Sequence, residues 1–377
     1  MRLSFVILGI LLAAFTVVSW TGFNYARDIF TVSPLVSAKT EPDTIRLTFA
    51  GDIMAHDVNF NRPPYERIYD DVRDILTGDD LSFANLEFPV DAKKPMSTYP
   101  RFNVHTPYVQ AAVDAGFDVF SASNNHATDQ GGDSVVKTAE ALSALDESVW
   151  SGLRRHEDDP MHPVTINYGN MRIGFLSITL FLNLAEGSKL VHNLNMYDAG
   201  RIDAFLEYLS ETTPGYDLFI LSVHGGTEYR QVPNKRKREL FVKFVEHGVD
   251  IVWGHHPHVL QPWEYVMFEG SRKVILYSTG NFISGQTWFL DPVMPDQRVA
   301  PTGESALFQL KVTDNGEQVD VTDVSLQFIF NHRVQTMVVR KAESLINDPQ
   351  LSDAWKLYYT HRYESLKRFE LPLAEEE

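Results

Sequence analysis

The chain has 377 residues and no cysteine, and its 50 acidic against 33 basic side chains leave a formal net charge of −17. The acid excess argues against a nucleic-acid-binding surface, which would be basic, and the lack of thiols excludes disulfides and thiolate metal ligands. At 44% hydrophobic residues the composition is that of a folded globular protein with room for one large domain or two.

Residues 1–27 come first. Between Arg2 and Arg27 there is no charged side chain, and the run SFVILGILLAAFTVVSW, with its flanks, is long enough to cross a bilayer, which takes roughly 20 residues. The nearest small-residue cleavage pattern, Val36-Ser37-Ala38, lies well beyond the apolar core, so the segment reads as an uncleaved single-pass anchor rather than a removed signal. Arg2 on the leading side gives weak support for a cytoplasmic N-terminus. The expectation is a protein of the cell membrane with its globular part outside the cytoplasm, joined by a polar connector over 28–43.

The main domain is expected over 44–330. Six apolar, β-rich runs each end on a carboxylate, an amide or an imidazole: IRLTFAGD at Asp52, DLSFANLE at Glu87, FDVFSASNNH at His126, DLFILSVHGG just past His224, VDIVWGHHPH at His258 and KVILYSTGN at Asn281. Runs of this kind are buried strands. Helical spacing falls between them, over 107–116, 134–145, 201–209 with Asp198 as cap, and 240–245. The alternation predicts an α/β fold. The basic run Lys235-Arg236-Lys237-Arg238 reads either as a solvated helix face or as a contact for an anion. Later, SALFQLKVTDNGEQVDVTDVSLQFIF predicts a hairpin turning at Asp314-Asn315-Gly316. Residues 331–377 read as a C-terminal helical extension, with helices at 342–346 and 353–368 and an acidic tail.

Loops just past strand ends form the sites of open α/β sheets, so these Asp, Glu, Asn and His side chains can converge, and convergent N and O donors suggest a metal. The His-x-His of His256-Pro257-His258 would project both imidazoles to one side of an extended segment, with His255 pointing away as a structural residue. A lone Asp52 would be a turn former and a lone His224 a satisfied core residue; their company argues for function. Arg101, in YPRFNVHTP, offers a planar fork to a carboxylate or phosphate, or else a surface salt bridge. Glu228 and Asn281 are expected at the same rim. Asp129 and Gly131-Gly132 read as a turn that approaches ligand or as plain loop.

The order Gly51-Asp52-Ile53-Met54, Asn85-Leu86-Glu87, Asn124-Asn125-His126, His224-Gly225-Gly226-Thr227-Glu228-Tyr229, Gly254-His255-His256-Pro257-His258 and Gly280-Asn281-Phe282 resembles the CapA capsule-synthesis family. That family is associated with poly-γ-glutamate production and looks like an offshoot of the calcineurin-like metallophosphoesterases. The resemblance covers residues 46–282. It implies a layered α/β/β/α metallophosphatase-like sandwich holding one or two divalent ions, with Mn, Mg, Fe and Zn not distinguishable. It implies metal ligands at Asp52, Glu87, Asn125, His224, His256 and His258, with Glu87 where the superfamily places a bridging Asp. His126 would face substrate as general acid or charge stabiliser, and Asn124 would brace the turn. Met54 stands where the phosphoesterase pattern has a His, and a thioether is a poor ligand for hard divalent ions; His56 is the candidate substitute, or a polar neighbour. Two function classes follow: a metal-dependent hydrolase or transferase, or a membrane-anchored assembly factor that binds an anionic polymer or capsule-synthase subunits without turnover.

Overall fold

In the computed structural model, residues 44–373 apart from 317 are described; the expected anchor, 1–27, and connector, 28–43, lie outside them. Three of the runs that end on polar side chains, β1 (Thr44–Ile53), β2 (Leu81–Leu86) and β3 (Val119–Ser121), lie side by side and parallel, continued by β4 (Val149–Ser151). β1 alternates exposed and buried only at its start and is then buried throughout, as a strand covered on both faces must be. A hairpin of β5 (Val164–Tyr168) and β6 (Met171–Thr179) opens a second sheet. There β6, β7 (Leu218–His224), β8 (Ile251–His255) and β10 (Ser271–Leu276) run parallel, with β9 (Trp263–Phe268) antiparallel at the edge.

The chain then crosses back. β11 (Asn281–Ile283) pairs in parallel with the end of β1, while β12 (Glu304–Asp314), β13 (Val319–Arg333) and β14 (Met337–Lys341) extend the first sheet antiparallel from the start of β1. The hairpin turns where expected, with Asp314 Oδ1 accepting from the Gly316 amide at 2.7 Å. Asn281 therefore opens a strand of the first sheet instead of closing the run KVILYST, which stops as a strand at Leu276. The expected helical extension also needs correction: it begins with the end of β13 and all of β14 before the helices Ala342–Ile346 and Asp353–Leu366. No helix among the described residues is long and apolar enough to cross a membrane.

One core lies between the sheets, where Phe49 stacks on Phe83 with centroids 4.6 Å apart and Trp253 meets both edge-on. Helices Thr106–Val113 and Gly132–Ser143 contribute to a second core on the outer side of the first sheet, and Ala199–Thr212 and Lys235–Glu246 to a third on the outer side of the second. Asp198 caps the third of these helices, as the sequence suggests, by accepting from the Arg201 amide at 3.1 Å. The basic run at the start of the fourth is in its first half the solvated face expected, with Lys235 and Arg236 exposed, and its second half is packed or paired, so it is not an open anion site. Lys235 pairs with Glu239, Arg236 lies over Tyr197, Lys237 is buried and Arg238 pairs with Glu264.

Near the strand ends the sheets are tied by polar contacts. Ser121 of β3 meets Ser177 of β6 at 2.8 Å and Ser222 of β7 at 2.9 Å, three fully buried hydroxyls that satisfy one another. This ladder brings the carboxyl ends of both parallel sets to a common edge.

Candidate metal centre

Strand register sets the first half of the site. Asp52 at the end of β1 is flanked by Asn85 on β2 and Asn281 on β11. Gly51 permits the second neighbour, because a Cβ there would lie 2.1 Å from the Gly280 carbonyl oxygen. Asn85 Nδ2 donates to Asp52 Oδ1 at 2.8 Å, and Glu87 follows β2 directly. In the second sheet His224 and His255 are register partners at the ends of β7 and β8.

His256 and His258 lie beyond β8, both with left-handed backbone, φ 89° and 57°. They reach the site through a strained turn, so the expected alternation along an extended segment does not apply. His255 does not point away: its Nδ1 lies 3.1 Å from Asp52 Oδ1, without hydrogen-bond geometry. Its ring sits edge-on against Trp253 at 4.1 Å.

Glu87 is the centre of the cluster. Its Oε1 is 3.7 Å from His224 Nε2, 3.7 Å from His258 Nε2 and 4.0 Å from His126 Nε2, and neither carboxylate oxygen has a hydrogen-bond partner. Asn125 Oδ1 is 2.8 Å from His224 Nε2, and His258 Nδ1 is 3.4 Å from Asp52 Oδ2. Two groups could each hold an ion, Asp52 with Glu87 and His224, and Glu87 with His256 and His258, the ligand atoms of each lying within 4.8 Å of one another. Glu87 belongs to both, as a bridging carboxylate would.

Electrostatics separate the two acids. Burial pushes both up, but the imidazoles of His255 and His258 hold Asp52 well below the usual carboxylate range. Burial and then the neighbouring Asp52 drive Glu87 well above it. Burial, reinforced by the other histidines, keeps His224 and His256 well below their ordinary value and hence neutral, the form that binds metal.

His126 is buried beside the cluster. Asp129 Oδ2 lies 2.7 Å from its Nδ1 and also accepts from the Phe102 amide at 2.9 Å. Asp129 is thus a fixed partner of the imidazole and not a loose turn. Asn124 braces the segment as expected, donating to the Leu86 carbonyl at 2.7 Å and accepting from the His126 amide at 3.1 Å.

Other candidates sit further out. Arg101 and Glu228 are exposed, and among the described residues Arg101 has no ion pair. Asn281 is fully buried, with Oδ1 3.0 Å from His258 Nδ1 and Nδ2 donating to Gln286 and Thr302, so it orients His258 from below the rim. Met54 is packed into the outer core of the first sheet, and His56 stands half-buried at the edge against Phe102. Burial, and then His258, lower its pKa to about 4. Sequence reasoning missed the Asn85 and His255 contacts to Asp52. Their register beside motif residues was the available signal.

The fold and site define a two-sheet α/β protein with a candidate metal centre at the carboxyl ends of its parallel strands. The model of the bacterial capsule synthesis protein family PGA_cap matches residues 46–286, and the chain belongs to that family. Over 303 residues it is 30% identical to the capsule biosynthesis protein CapA of Bacillus anthracis, covering 76% of this chain and 69% of the relative. Over 298 residues it is 27% identical to the PGA biosynthesis protein CapA of Bacillus subtilis (strain 168), covering 75% and 72%. Among solved structures, the calcineurin-like phosphoesterase YfkN from Bacillus subtilis aligns over 86% of this chain and 98% of its own at 12% identity with a TM-score of 0.39.

Proposed function

We propose that the chain is a membrane-anchored capsule and poly-γ-glutamate biosynthesis protein, working outside the cytoplasm through a metallophosphatase-like site for one or two divalent ions. Glu87 carries the reading: a fully buried carboxylate with no hydrogen-bond partner, faced by imidazole nitrogens of His224 and His258 each 3.7 Å away. Holding this group charged without a partner costs several kcal/mol, which is what raises its pKa, and a cation among these atoms removes that cost. Ligands bound to one ion at about 2.0–2.2 Å stand roughly 3–3.5 Å apart, close to the spacing found. The mixed carboxylate and imidazole donor set suits Mn, Fe or Zn better than Mg, which prefers oxygen ligands throughout.

Asp52, Glu87 and His224 would hold one ion, with Asn125 Oδ1 beside it, and Glu87, His256 and His258 the other. Bound ions supply activation of water and polarisation of an ester, phosphate or amide. Asp129 fixes the His126 ring so that Nε2 faces the cluster, where it protonates a leaving group or steadies developing charge. Arg101 and Glu228 contact substrate at the rim.

A second reading, a non-catalytic assembly or polymer-binding factor, is favoured by one observation. Met54, at the position of a metal-binding His in the phosphoesterase pattern, is buried in apolar packing and leaves the first ion a ligand short. Metal analysis of the purified protein, with a phosphoesterase and peptidase screen, separates the readings. His256→Ala is expected to lose metal, whereas His126→Ala keeps it and loses hydrolysis or polymer production. If both variants retain metal and support normal polymer production, the assembly reading stands.

A further inference from the structure

Trp288 lies on the loop that follows β11, and two guanidinium groups share its indole. Arg62 Cζ is 5.3 Å from the ring centre and Arg333 Cζ is 5.5 Å. Arg333 also donates from Nη1 to the Trp288 carbonyl at 2.8 Å, which fixes one edge of its fork. Both arginines are exposed, and among the described residues neither is within ion-pair distance of a carboxylate. In a chain of net charge −17, two neighbouring exposed cations with no acid within ion-pair distance are a local positive spot on an acidic protein, open to an anion from outside the described residues.

The three residues branch from the wall of the metal centre. Gly285 packs so closely on His56 that a Cβ there would stand 2.7 Å from His56 Cβ, and Trp288 is three residues further on. Arg62 follows the short helix Asp57–Phe60 that begins just after His56. Asn331, two residues before Arg333, holds the same loop by accepting from the Ser284 amide and donating to the Phe282 carbonyl, each at 2.8 Å.

We propose that Arg62, Trp288 and Arg333 form a metal-independent binding site for a chain that carries carboxylates at intervals. Each guanidinium fork matches one carboxylate in bidentate fashion, and the part-exposed indole that both arginines share offers apolar surface to the hydrocarbon spacer that links successive acids. A polyphosphate chain has no such apolar spacer. The site deepens the function proposed above, since it supplies the local cations that an acidic protein needs to hold an acidic polymer beside its metal centre, and it rests on that reading for the identity of the polymer. The exposed Phe289, Val293 and Met294 further along the loop make an anionic membrane surface the competing occupant.

The test is calorimetric titration of the full-length, detergent-solubilised protein with a short poly-γ-glutamate oligomer, repeated after chelation and at raised salt. Binding is expected to survive chelation and to weaken about tenfold in Arg62→Gln and in Arg333→Gln, the loss of one charge-assisted contact each. Arg298→Gln, whose arginine is already paired with Asp296, should bind as wild type. Metal content should be unchanged in all three, so failure here is distinguishable from failure of the metal-centre reading. The proposal is overturned if the double variant Arg62→Gln/Arg333→Gln binds as wild type, or if chelation alone abolishes binding. It is equally overturned if polyphosphate binds as tightly with the same dependence on both arginines, or if phosphatidylglycerol vesicles bind in place of the oligomer.

Discussion

His256 combines two costs at one position. Its backbone sits at φ 89°, outside the comfortable range of a non-glycine residue, and its buried Nδ1 has no partner. Strain of this kind costs of order 1–3 kcal/mol and persists where function requires the side chain. His256→Gly relieves it, so the chelated variant should be about 1 kcal/mol more stable than chelated wild type, while its metal occupancy falls. Urea unfolding with and without metal measures both. A variant less stable than wild type in the chelated state would show that the turn is not strained. His255 illustrates the same local physics: with β8 ending at that residue, the alternation of a strand no longer decides where the next side chains go.

The helix Asp353–Leu366 belongs to the inter-sheet core, contributing Tyr358, Tyr359 and Leu366, and Trp263 Nε1 donates to the Phe369 carbonyl at 2.8 Å just beyond it. Its polar anchor is Arg362, paired through both Nε and Nη2 with the carboxylate of Glu304, which is 1% exposed at the start of β12. Removing one partner of a buried pair leaves the other charge uncompensated, at about 3–5 kcal/mol, whereas replacing both costs little. Arg362→Ala should therefore destabilise strongly, and Glu304→Gln combined with Arg362→Met should recover most of the loss. A double-mutant cycle by chemical denaturation checks this, and equal destabilisation in the single and double variants would mean that packing, not charge, anchors the helix.

Across the molecule, buried histidines make stability depend on pH. Away from the metal centre, burial lowers His332 to about 4 and His192 to about 3, against an ordinary value near 6.5. These depressed folded values mean that the unfolded chain takes up protons first as pH falls. The stabilising contribution is complete above about pH 6.5, declines below it, and is gone once the folded values are passed. Each histidine should remove about 1.4 kcal/mol per pH unit within its window. Buried carboxyls raised by burial, Asp118 to about 7 and Asp79 to about 6, act in the opposite sense over the same range, so the test is a comparison: between pH 7 and pH 4.5 the urea midpoint of chelated His332→Gln should lose less on acidification than that of chelated wild type. A slope unchanged by that substitution would refute the assignment.

How much of this was legible beforehand follows from the range of each interaction. The strand runs, the DNG hairpin, the Asp198 cap and the polar residues at strand ends depend on neighbours within a few positions, and the chain order of six motifs sufficed to identify the family. The burial of Lys237, the crossing of Asn281 into the other sheet and the contacts of Asn85 and His255 with Asp52 depend on which segments lie side by side. Sheet order and register are settled by packing between segments more than a hundred residues apart, as with the Ser121 and Ser222 hydroxyls that join the two sheets. The sequence alone therefore supplied the donor types and their places at strand ends, and the tertiary structure decided which of them meet around Glu87.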